Sequence, residues 1–426
     1  MRRGRFGMPR SAGRLERGAQ GGDADGALLL TGIQAREIIA ALVSAHGGRL
    51  GAITLDQVDA QPGVSTTVTY SCQVRWPDAE VREIVGLSAR AGGLSAEDRC
   101  GEVFSDGERE VAAWFYPEDP ELPGLVRITV AEQACRVLAE NGLLGPPLRP
   151  ERLALHVVGY RPRRNAVVRI EIDGGATVFY VKALATRQLN QAVARLDMLS
   201  RARIPVPALL AVTDENLIVL SALPGRAMSH LLFEQKPAIA GEKLVGLLDA
   251  LPAGLLDMPR HLAWSDATRR YATTVASQLP SESRRLDSLV EAIESGLRGL
   301  PPGTEPTHGD FHEGQVHLAG GRVVGLLDVD ACGPGRRVDD LACLMAHLST
   351  VQGMDAVQAG RLGVLRTRLI DVFDRRVDPV ELRLRTAAVA ISLATGPYRT
   401  QEPDWQRQTG EILRIAQGWL RAADTC

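Results

Sequence analysis

The sequence predicts an α+β protein, because strand-rich segments come first along the chain and helical segments follow them. Two blocks of β-branched and aromatic residues, broken by glycine turns, lie before residue 225. After that point apolar residues recur mostly at helical spacing. Such segregation favours separate strand-rich and helical domains over a doubly wound parallel sheet. The 426 residues are enough for two or three domains.

The composition is that of an ordinary globular protein and excludes several classes of partner. The net charge of −2 gives no electrostatic reason to expect nucleic acid or an anionic membrane surface as a partner. No apolar run approaches the roughly 20 residues that cross a bilayer. The six cysteines are scattered without any CxxC spacing. They therefore argue against a disulfide framework or a structural zinc site, and they indicate a cytoplasmic location.

The N-terminal end combines a polar segment with a first helix. Residues 1–26 are rich in arginine and glycine and lack apolar periodicity, which predicts a disordered tail. Residues 30–47 carry apolar residues at helical spacing. We expect Thr31 to be the N-cap of that helix and Gly47 to end it.

The rest of the first third has the residue types and turns of antiparallel strands, followed by one short helix. We interpret residues 27–148 as an additional N-terminal, β-rich domain with flanking helices, called the cap domain below. We find no catalytic constellation in it. Its predicted strands are residues 64–76, 81–91 and 103–116, and its last predicted helix is residues 129–141.

A second sheet with one helix is predicted for residues 149–225, called the N-lobe. Its third strand, VFYVKAL, contains Lys182 near its end and leads directly into the helix. Residues 226–426, called the C-lobe, are mostly helical. The predicted N-lobe strands are 156–160, 166–172, 177–183, 208–213 and 217–221, with a helix at 186–202. The predicted C-lobe helices are 241–251, 267–278, 286–297, 339–350, 357–375, 379–394 and 404–423.

One C-lobe stretch, THGDFHEGQVHLAGGRVVGLLDVD, is not helical. Its Gly-Gly pair predicts a tight turn between two short strands. Because the ends of a hairpin lie together, Gln315 before the first strand and Asp328 after the second should face each other. Carboxylate and amide oxygens are the ligands that Mg²⁺ prefers. Asp310, on the preceding loop, can accept a proton from a hydroxyl. The stretch therefore predicts a magnesium and phosphoryl-transfer site.

These strings resemble a known family. HGDFHEGQ and LLDVD are similar to the HGDxHxxN and (I/L)D(W/F)(E/D) motifs of the aminoglycoside phosphotransferase/choline kinase branch of the protein-kinase-like fold. Gln in place of the last Asn is typical of maltokinase- and glucosamine-kinase-like members, which carry HGDxHxGQV. The resemblance covers roughly residues 150–426. It implies a two-lobed protein-kinase-like fold, to which the cap domain is added.

The resemblance also implies roles for individual residues in an ATP- and Mg²⁺-dependent kinase. Asp310 would be the catalytic base, and His308 would orient its loop. The implied metal ligands are Gln315, Asp328 and Asp330. The implied ATP contacts are Lys182 and Arg164 on the phosphates, and the backbone of Ser221, Ala222 and Leu223 on adenine. The DDLA string at residues 339–342 resembles a helix start that anchors the catalytic segment.

Two departures from the family pattern leave a second function open. Kinases of this type pair the strand lysine with a Glu on the next helix, yet no acidic residue lies between Ala183 and Leu196. The segment at the position of the phosphate-covering loop, YRPRRNAVVRI, lacks glycine. The leading interpretation is transfer of the γ-phosphoryl group to a hydroxyl of a sugar, amino sugar or aminoglycoside-like acceptor. The alternative is a nucleotide-binding pseudokinase or regulatory module.

Several residues also have a structural interpretation. Lys182 would otherwise be a solvated lysine at the end of a strand, Asp330 a turn residue, and Arg163 and Arg164 a solvated turn. The histidines His308, His312 and His317 also allow a zinc site. In the C-terminal helices, the interruption TGPYRTQEPDW holds candidate acceptor contacts. These are Tyr398, Arg399 and Glu402.

Overall fold

A computed structural model describes residues 13–14, 23–95, 101–105, 109–144, 149–234 and 239–426. The expected α+β organisation is confirmed, with two antiparallel sheets followed by a helical C-lobe. Among the described helices, none combines the length and apolar content needed to cross a lipid bilayer. Four of the cysteines, Cys72, Cys135, Cys332 and Cys343, are buried free thiols, and Cys426 is exposed.

The cap domain is a six-stranded sheet with the order β1-β5-β6-β4-β3-β2. All neighbours are antiparallel except β1 and β5. One face packs against α2, whose residues Ile38, Ile39 and Leu42 are fully buried at helical spacing. The strands are β1 (Gly13–Arg14), β2 (Arg49–Gln61), β3 (Ser65–Arg75), β4 (Glu80–Arg90), β5 (Glu102–Ser105) and β6 (Glu110–Phe115). The helices are α1 (Ala27–Thr31), α2 (Ile33–Ala45), α3 (Leu125–Thr129) and α4 (Ala131–Glu140).

For this domain one prediction was wrong, one strand was missed, and a third prediction lies mostly outside the described residues. The prediction of one helix capped by Thr31 was wrong, because Thr31 ends α1 and Gly32 is the N-cap of α2. The long strand β2 was missed, because it is an edge strand in which Val58 alone is fully buried, so its sequence lacks a clear apolar alternation. The predicted tail of residues 1–26 lies mostly outside the described residues. Within the described part, Asp23 accepts N–H bonds from α1 and pairs with Arg109 at 3.2 Å.

The N-lobe is a five-stranded antiparallel sheet with the order β10-β11-β9-β8-β7. One face packs against α5 and the C-lobe, and the other face packs against α3 and α4. The core between α3, α4 and this sheet contains Leu125, Ile128 and Leu138 together with Val168 and Val181. Both helices lie within residues 27–148, the range predicted as the cap domain, but they share their core with the N-lobe. The elements are β7 (Leu153–Arg161), β8 (Asn165–Ile172), β9 (Thr177–Leu184), α5 (Thr186–Arg201), β10 (Leu209–Val212) and β11 (Leu217–Ser221).

In the described part of the C-lobe, all seven predicted helices are present, together with one short additional α-helix, α12. Its central helix is α11, which is buried along most of its length between α9 and α13. The helices are α6 (Gly241–Asp249), α7 (Thr268–Gln278), α8 (Ser283–Gly296), α9 (Arg337–Thr350), α10 (Ala356–Phe373), α11 (Pro379–Leu393), α12 (Gly396–Arg399) and α13 (Trp405–Ala423). The short strands are β12 (Arg226–Ala227), β13 (Glu305–Thr307), β14 (Val316–Ala319), β15 (Arg322–Leu326) and β16 (Gly333–Gly335).

A buried hydrogen-bond network joins the segment after the cap sheet to the turn between β7 and β8. The Asp119 carboxylate accepts hydrogen bonds from the Tyr160 hydroxyl at 2.8 Å and from the Arg163 backbone N–H at 2.8 Å. Tyr160 in turn accepts from the Trp114 indole at 3.1 Å. The Arg163 guanidinium pairs with Glu121 at 3.0 Å. Because Asp119 is 3% exposed, water cannot replace these partners, so the turn is fixed to the cap side of the protein.

We expect Asp119→Asn to destabilise the protein by about 1–3 kcal/mol, because an amide cannot accept all the hydrogen bonds that the carboxylate accepts. The measurement is the free energy of unfolding from a urea titration. Glu118→Gln is the matched control, since Glu118 is the exposed neighbour. Equal stability of the two variants would contradict this account of the network.

Candidate active site

Asp340, in the first turn of α9, holds the loop that carries Asp310 through two backbone hydrogen bonds. Its two carboxylate oxygens accept the backbone N–H groups of His308 and Gly309, each at 2.8 Å. Gly309 has φ of +83°, and a Cβ there would lie 2.7 Å from the Ala331 carbonyl oxygen. Glycine is therefore required at this position both for its conformation and for the space. Asp340 belongs to the DDLA string, and it anchors the loop as the family resemblance implied.

His308 connects the same loop to the end of β15. Its Nε2–H donates to the Leu327 carbonyl oxygen at 2.9 Å, and its Nδ1 accepts the Asp310 backbone N–H at 3.3 Å. Burial lowers the pKa of His308, which keeps the ring neutral and matches this one-donor, one-acceptor arrangement. With both ring nitrogens engaged, His308 orients the loop.

The Asp310 carboxylate lies in a partly buried environment that favours proton uptake. Burial raises the pKa of Asp310 and the nearby Asp328 carboxylate adds to this effect, whereas the charge of Arg161 and a hydrogen bond from Trp264 oppose it. The Cys343 thiol lies 3.9 Å from Asp310 Oδ1 and donates to it. A carboxylate with a raised pKa is a stronger general base.

The hairpin of β14 and β15 brings Gln315 and Asp328 to its open end, as the sequence predicted. The turn glycines Gly320 and Gly321 have φ of +55° and +74°. At the other end the Leu327 N–H donates to the Gln315 carbonyl oxygen at 2.8 Å. Asp328 follows in a left-handed conformation with φ of +48°. The Gln315 side-chain nitrogen lies 2.9 Å from Nε2 of His312.

Lys182 on β9 reaches from the N-lobe to this hairpin. Its Nζ donates to Asp328 Oδ1 at 3.1 Å and also to the Asp330 carboxylate. Burial by itself would lower the pKa of Lys182, but the charges of Asp330 and Asp328 outweigh it and raise the pKa. Lys182 is 8% exposed, so the solvated-lysine interpretation does not fit.

The missing acidic residue on α5 is thus replaced by carboxylates from another segment. At the corresponding face α5 presents Arg195, which is 2% exposed. Its Nε donates to the Cys332 carbonyl oxygen at 2.7 Å, so the helix is fixed to the segment just after Asp330. Sequence reasoning did not identify Arg195. The signal was a charged residue on the apolar face that Ala192, Leu196 and Leu199 define.

The predicted adenine-binding segment follows β11. The Ser221 N–H donates to the Ala208 carbonyl oxygen at 3.0 Å, so it is already engaged. Within the described residues, the backbone groups of Ala222 and Leu223 form no hydrogen bond and remain available to a base. Arg164 pairs with Asp59 of β2 at 3.3 Å, which draws its guanidinium toward the cap domain. A contact between Arg164 and nucleotide phosphate stays a prediction.

The three histidines considered for zinc do not converge. Besides the contacts of His308, Nδ1–H of His317 donates to the Pro224 carbonyl oxygen at 3.2 Å. His312 stacks on His347 with ring centroids 4.2 Å apart and planes inclined by 6°. Lone pairs of imidazole nitrogens lie in the ring plane, so two parallel stacked rings cannot direct them at one ion. Among the described residues, two groups bring three possible metal-ligand atoms within 4.8 Å of one another. They are Asp310, Cys343 and His347, and His312, Glu313 and His347.

Comparison with known proteins assigns a family to this site. Residues 161–371 match the model of the phosphotransferase enzyme family, a range that includes Lys182, the Asp310 loop and the hairpin. Residues 161–371 are therefore similar to this family. The match confirms the resemblance seen in the motifs, whereas the closeness to maltokinase-like members stays a prediction.

Individual relatives are distant. An uncharacterized protein of Deinococcus radiodurans is 31% identical over 144 residues, and the matched region is 32% of this chain and 41% of that protein. The chain therefore spans about two fifths of the relative's length. A choline/ethanolamine kinase family protein from Mesorhizobium loti is 17% identical, with a TM-score of 0.49 and coverage of 70% of this chain and 100% of that one. The macrolide 2′-phosphotransferase MphH from Brachybacterium faecium is 16% identical, with a TM-score of 0.42 and coverage of 67% and 98%.

We expect Asp340→Asn to lower the free energy of unfolding by about 1–3 kcal/mol. Burial raises the pKa of Asp340 to about 7, although the N–H groups of His308 and Gly309 favour the ionised form. The side chain of an asparagine has only one carbonyl oxygen, which can accept from one of these N–H groups. Its NH₂ group then faces the second N–H, and two donors cannot form a hydrogen bond. Urea unfolding measures the change, and Asp371→Asn, an exposed position on α10, is the control. Wild-type stability of Asp340→Asn would contradict an anchoring role.

We expect His347 to make the protein acid-sensitive. Burial, together with the charge of His312, lowers the pKa of His347 from 6.5 to about 3. Below about pH 6.5, His347 therefore binds a proton in the unfolded chain but stays neutral in the folded protein. The free energy of unfolding falls as the pH drops, by about 2 kcal/mol near pH 5. His347→Asn should remove this part of the difference between urea unfolding near pH 7.5 and near pH 5. His230→Asn, at an exposed position, should leave the difference unchanged, and a full wild-type difference in His347→Asn would refute the assignment.

Proposed function

We propose that the protein is an ATP- and Mg²⁺-dependent phosphotransferase that moves the γ-phosphoryl group to a hydroxyl of a small molecule, of the sugar, amino sugar or aminoglycoside-like class. The observation that carries this proposal is the ion cluster in which Lys182 of the N-lobe contacts Asp328 and Asp330 of the C-lobe. The cluster brings the predicted phosphate contact and the predicted metal ligands together at the end of the hairpin, whose Leu327 carbonyl is tied to the Asp310 loop.

The donor set fits a hard divalent cation. Asp328 and Asp330 offer carboxylate oxygens and Gln315 an amide oxygen, and Mg²⁺ bound through one or two carboxylates usually keeps water and substrate phosphate as its other ligands. When bound, the ion would neutralise charge on the transferring phosphoryl group. Lys182 now neutralises the same carboxylates. We infer that its ammonium turns toward the nucleotide phosphates when a cation takes over that role.

Asp310 would orient the acceptor hydroxyl and take its proton. Its loop is rigid because Asp340 and His308 hold the backbone on both sides. Catalysis of phosphoryl transfer consists mainly of positioning and charge stabilisation, so this rigidity has a direct chemical use. The backbone of Ala222 and Leu223 would bind adenine, as in the sequence-based prediction.

We expect Asp310→Asn to lower kcat for acceptor-dependent ADP formation by about 10²–10⁴-fold, because general-base assistance is lost. The measurement is ADP release with ATP, Mg²⁺ and a panel of sugars, amino sugars, aminoglycosides and choline. The dissociation constant for ATP should change little, since Asp310 does not contact the nucleotide in this proposal. Asp214→Asn, in an exposed turn of the N-lobe, is the control.

The pseudokinase alternative predicts a different result in the same experiment. ATP would bind, no acceptor would increase ADP release, and Asp310→Asn would behave like the wild type. The replacement of the α5 acidic residue by Asp328 and Asp330 weakens this alternative, because Lys182 is held in the cleft without that residue.

A further inference from the structure

Three elements from different parts of the chain meet beside the candidate active site. The turn between β7 and β8 contacts β2 of the cap domain through the Arg164–Asp59 ion pair at 3.3 Å. The short helix α12 packs against the same strand. Tyr398 of α12 packs onto the apolar core of the cap domain and lies 4.8 Å from Trp405, measured between ring centroids. The cap domain, the N-lobe turn and the C-lobe therefore enclose one region.

Arg399 lies in this region without a counter-ion. Its Nε is buried and has no hydrogen-bond partner, and in the described part of the chain its guanidinium forms no ion pair. Burial lowers the pKa of Arg399 and the charges of Arg161 and Arg164 lower it further, while Asp59 opposes them. A half-buried cation whose buried nitrogen has no partner is destabilising, and a bound anion would supply that partner.

Arg161 extends the cationic region toward the catalytic loop. It is the last residue of β7, it is exposed, and its side chain has no partner among the residues that the structure describes. Its positive charge lowers the pKa of Asp310 and of Asp328, so Arg161 interacts electrostatically with both of these carboxylates. The guanidinium groups of Arg161, Arg164 and Arg399 have the Asp59 carboxylate among them, while the carboxylates of Asp310 and Asp328 interact with Arg161 from the loop side. The part of the region that contains Arg399 therefore favours an anion and repels a cation.

An aromatic pair connects this region to Asp310. The rings of Trp264 and Tyr271 lie 5.6 Å apart. Burial raises the pKa of Tyr271 and the charge of Asp310 adds to this effect, whereas Arg270 and, to a smaller extent, Arg164 oppose it, so Tyr271 interacts with both Asp310 and Arg164. Since the acceptor hydroxyl must contact Asp310, an acceptor lying along these rings would extend toward the arginines.

We propose that the acceptor carries an anionic group, a phosphate or a carboxylate, that is bound by the unpaired guanidinium groups of Arg161 and Arg399 between the cap domain and the C-lobe. The inference rests on the proposed phosphoryl transfer and specifies its substrate class. The acceptor is then a hydroxyl compound of opposite charge to choline or an aminoglycoside. Arg164 is paired with Asp59, so it adds to the positive electrostatic potential but does not contact the anion directly.

The test compares acceptors that differ only in charge. ADP release is measured with glucose, glucosamine, glucuronate and glucose 6-phosphate, and with glycerol, glycerate and glycerol 3-phosphate. We expect the anionic members to have values of kcat/KM about tenfold or more above their neutral partners, as a charge-assisted pair would give. Within the anionic members, a preference for the phosphate or the carboxylate compounds identifies which group the arginines bind.

Variants then assign the effect to the arginines. Arg399→Gln and Arg161→Gln should each raise KM for the anionic acceptors by about tenfold or more and leave the dissociation constant for ATP unchanged. Arg399→Lys should restore part of the loss, and thermal unfolding confirms that each variant is folded. Arg414→Gln, at an exposed position on α13, is the control. Higher dissociation constants for ATP with unchanged acceptor KM would assign the arginines to the nucleotide and overturn the proposal.

Binding without turnover separates this proposal from the proposed function. Calorimetry measures binding of glucose 6-phosphate, glucuronate and inorganic phosphate to the wild type and to Arg399→Gln. Anion binding that Arg399→Gln weakens, without any ADP release, would support the anion site and refute phosphoryl transfer. Equal binding to both proteins, or faster turnover of glucose and glucosamine than of the anionic sugars, would overturn the anionic acceptor while leaving the kinase function intact.

Discussion

The carboxylate of Asp340 supports the loop that carries Asp310 by accepting two backbone N–H groups at once. Because the oxygens are fixed in the first turn of α9, they set the path of residues 308 and 309 and hence the direction of Asp310. Burial raises the pKa of this carboxylate to about 7, so the contact is made at an electrostatic cost. The cost is tolerated since the backbone donors would otherwise be buried without partners.

The cleft between the lobes depends on a second set of charges. Lys182 comes from a strand of the N-lobe and its two carboxylate partners come from the C-lobe. Arg195 adds a parallel connection from α5 to the Cys332 carbonyl oxygen. Lys182 therefore links the two lobes across the cleft between them.

The sequence was informative where chemistry imposes strict local patterns. The Gly-Gly turn fixed the register that places Gln315 beside the residue before Asp328, and the DDLA string located the helix that carries Asp340. Contacts between distant segments could not be predicted in this way. The role of the buried Arg195 became clear only when the Cys332 carbonyl oxygen was seen opposite it. The edge strand β2 was missed because one buried residue gives little periodicity. Likewise, the packing of α3 and α4 against the N-lobe depends on shape, which a linear pattern does not encode.

The cap domain contributes no candidate catalytic side chain, yet it contacts two elements beside the cleft, the turn between β7 and β8 and the helix α12. Asp119 fixes the turn after β7, and β2 receives both Arg164 and the helix α12. Changes in the length or sequence of the cap strands would therefore shift the β7–β8 turn and α12. The positions of Asp310, Lys182 and the hairpin would stay the same. In evolutionary terms, the cap strands can diverge while selection preserves the stretch of the gene that encodes Lys182, the hairpin and Asp340.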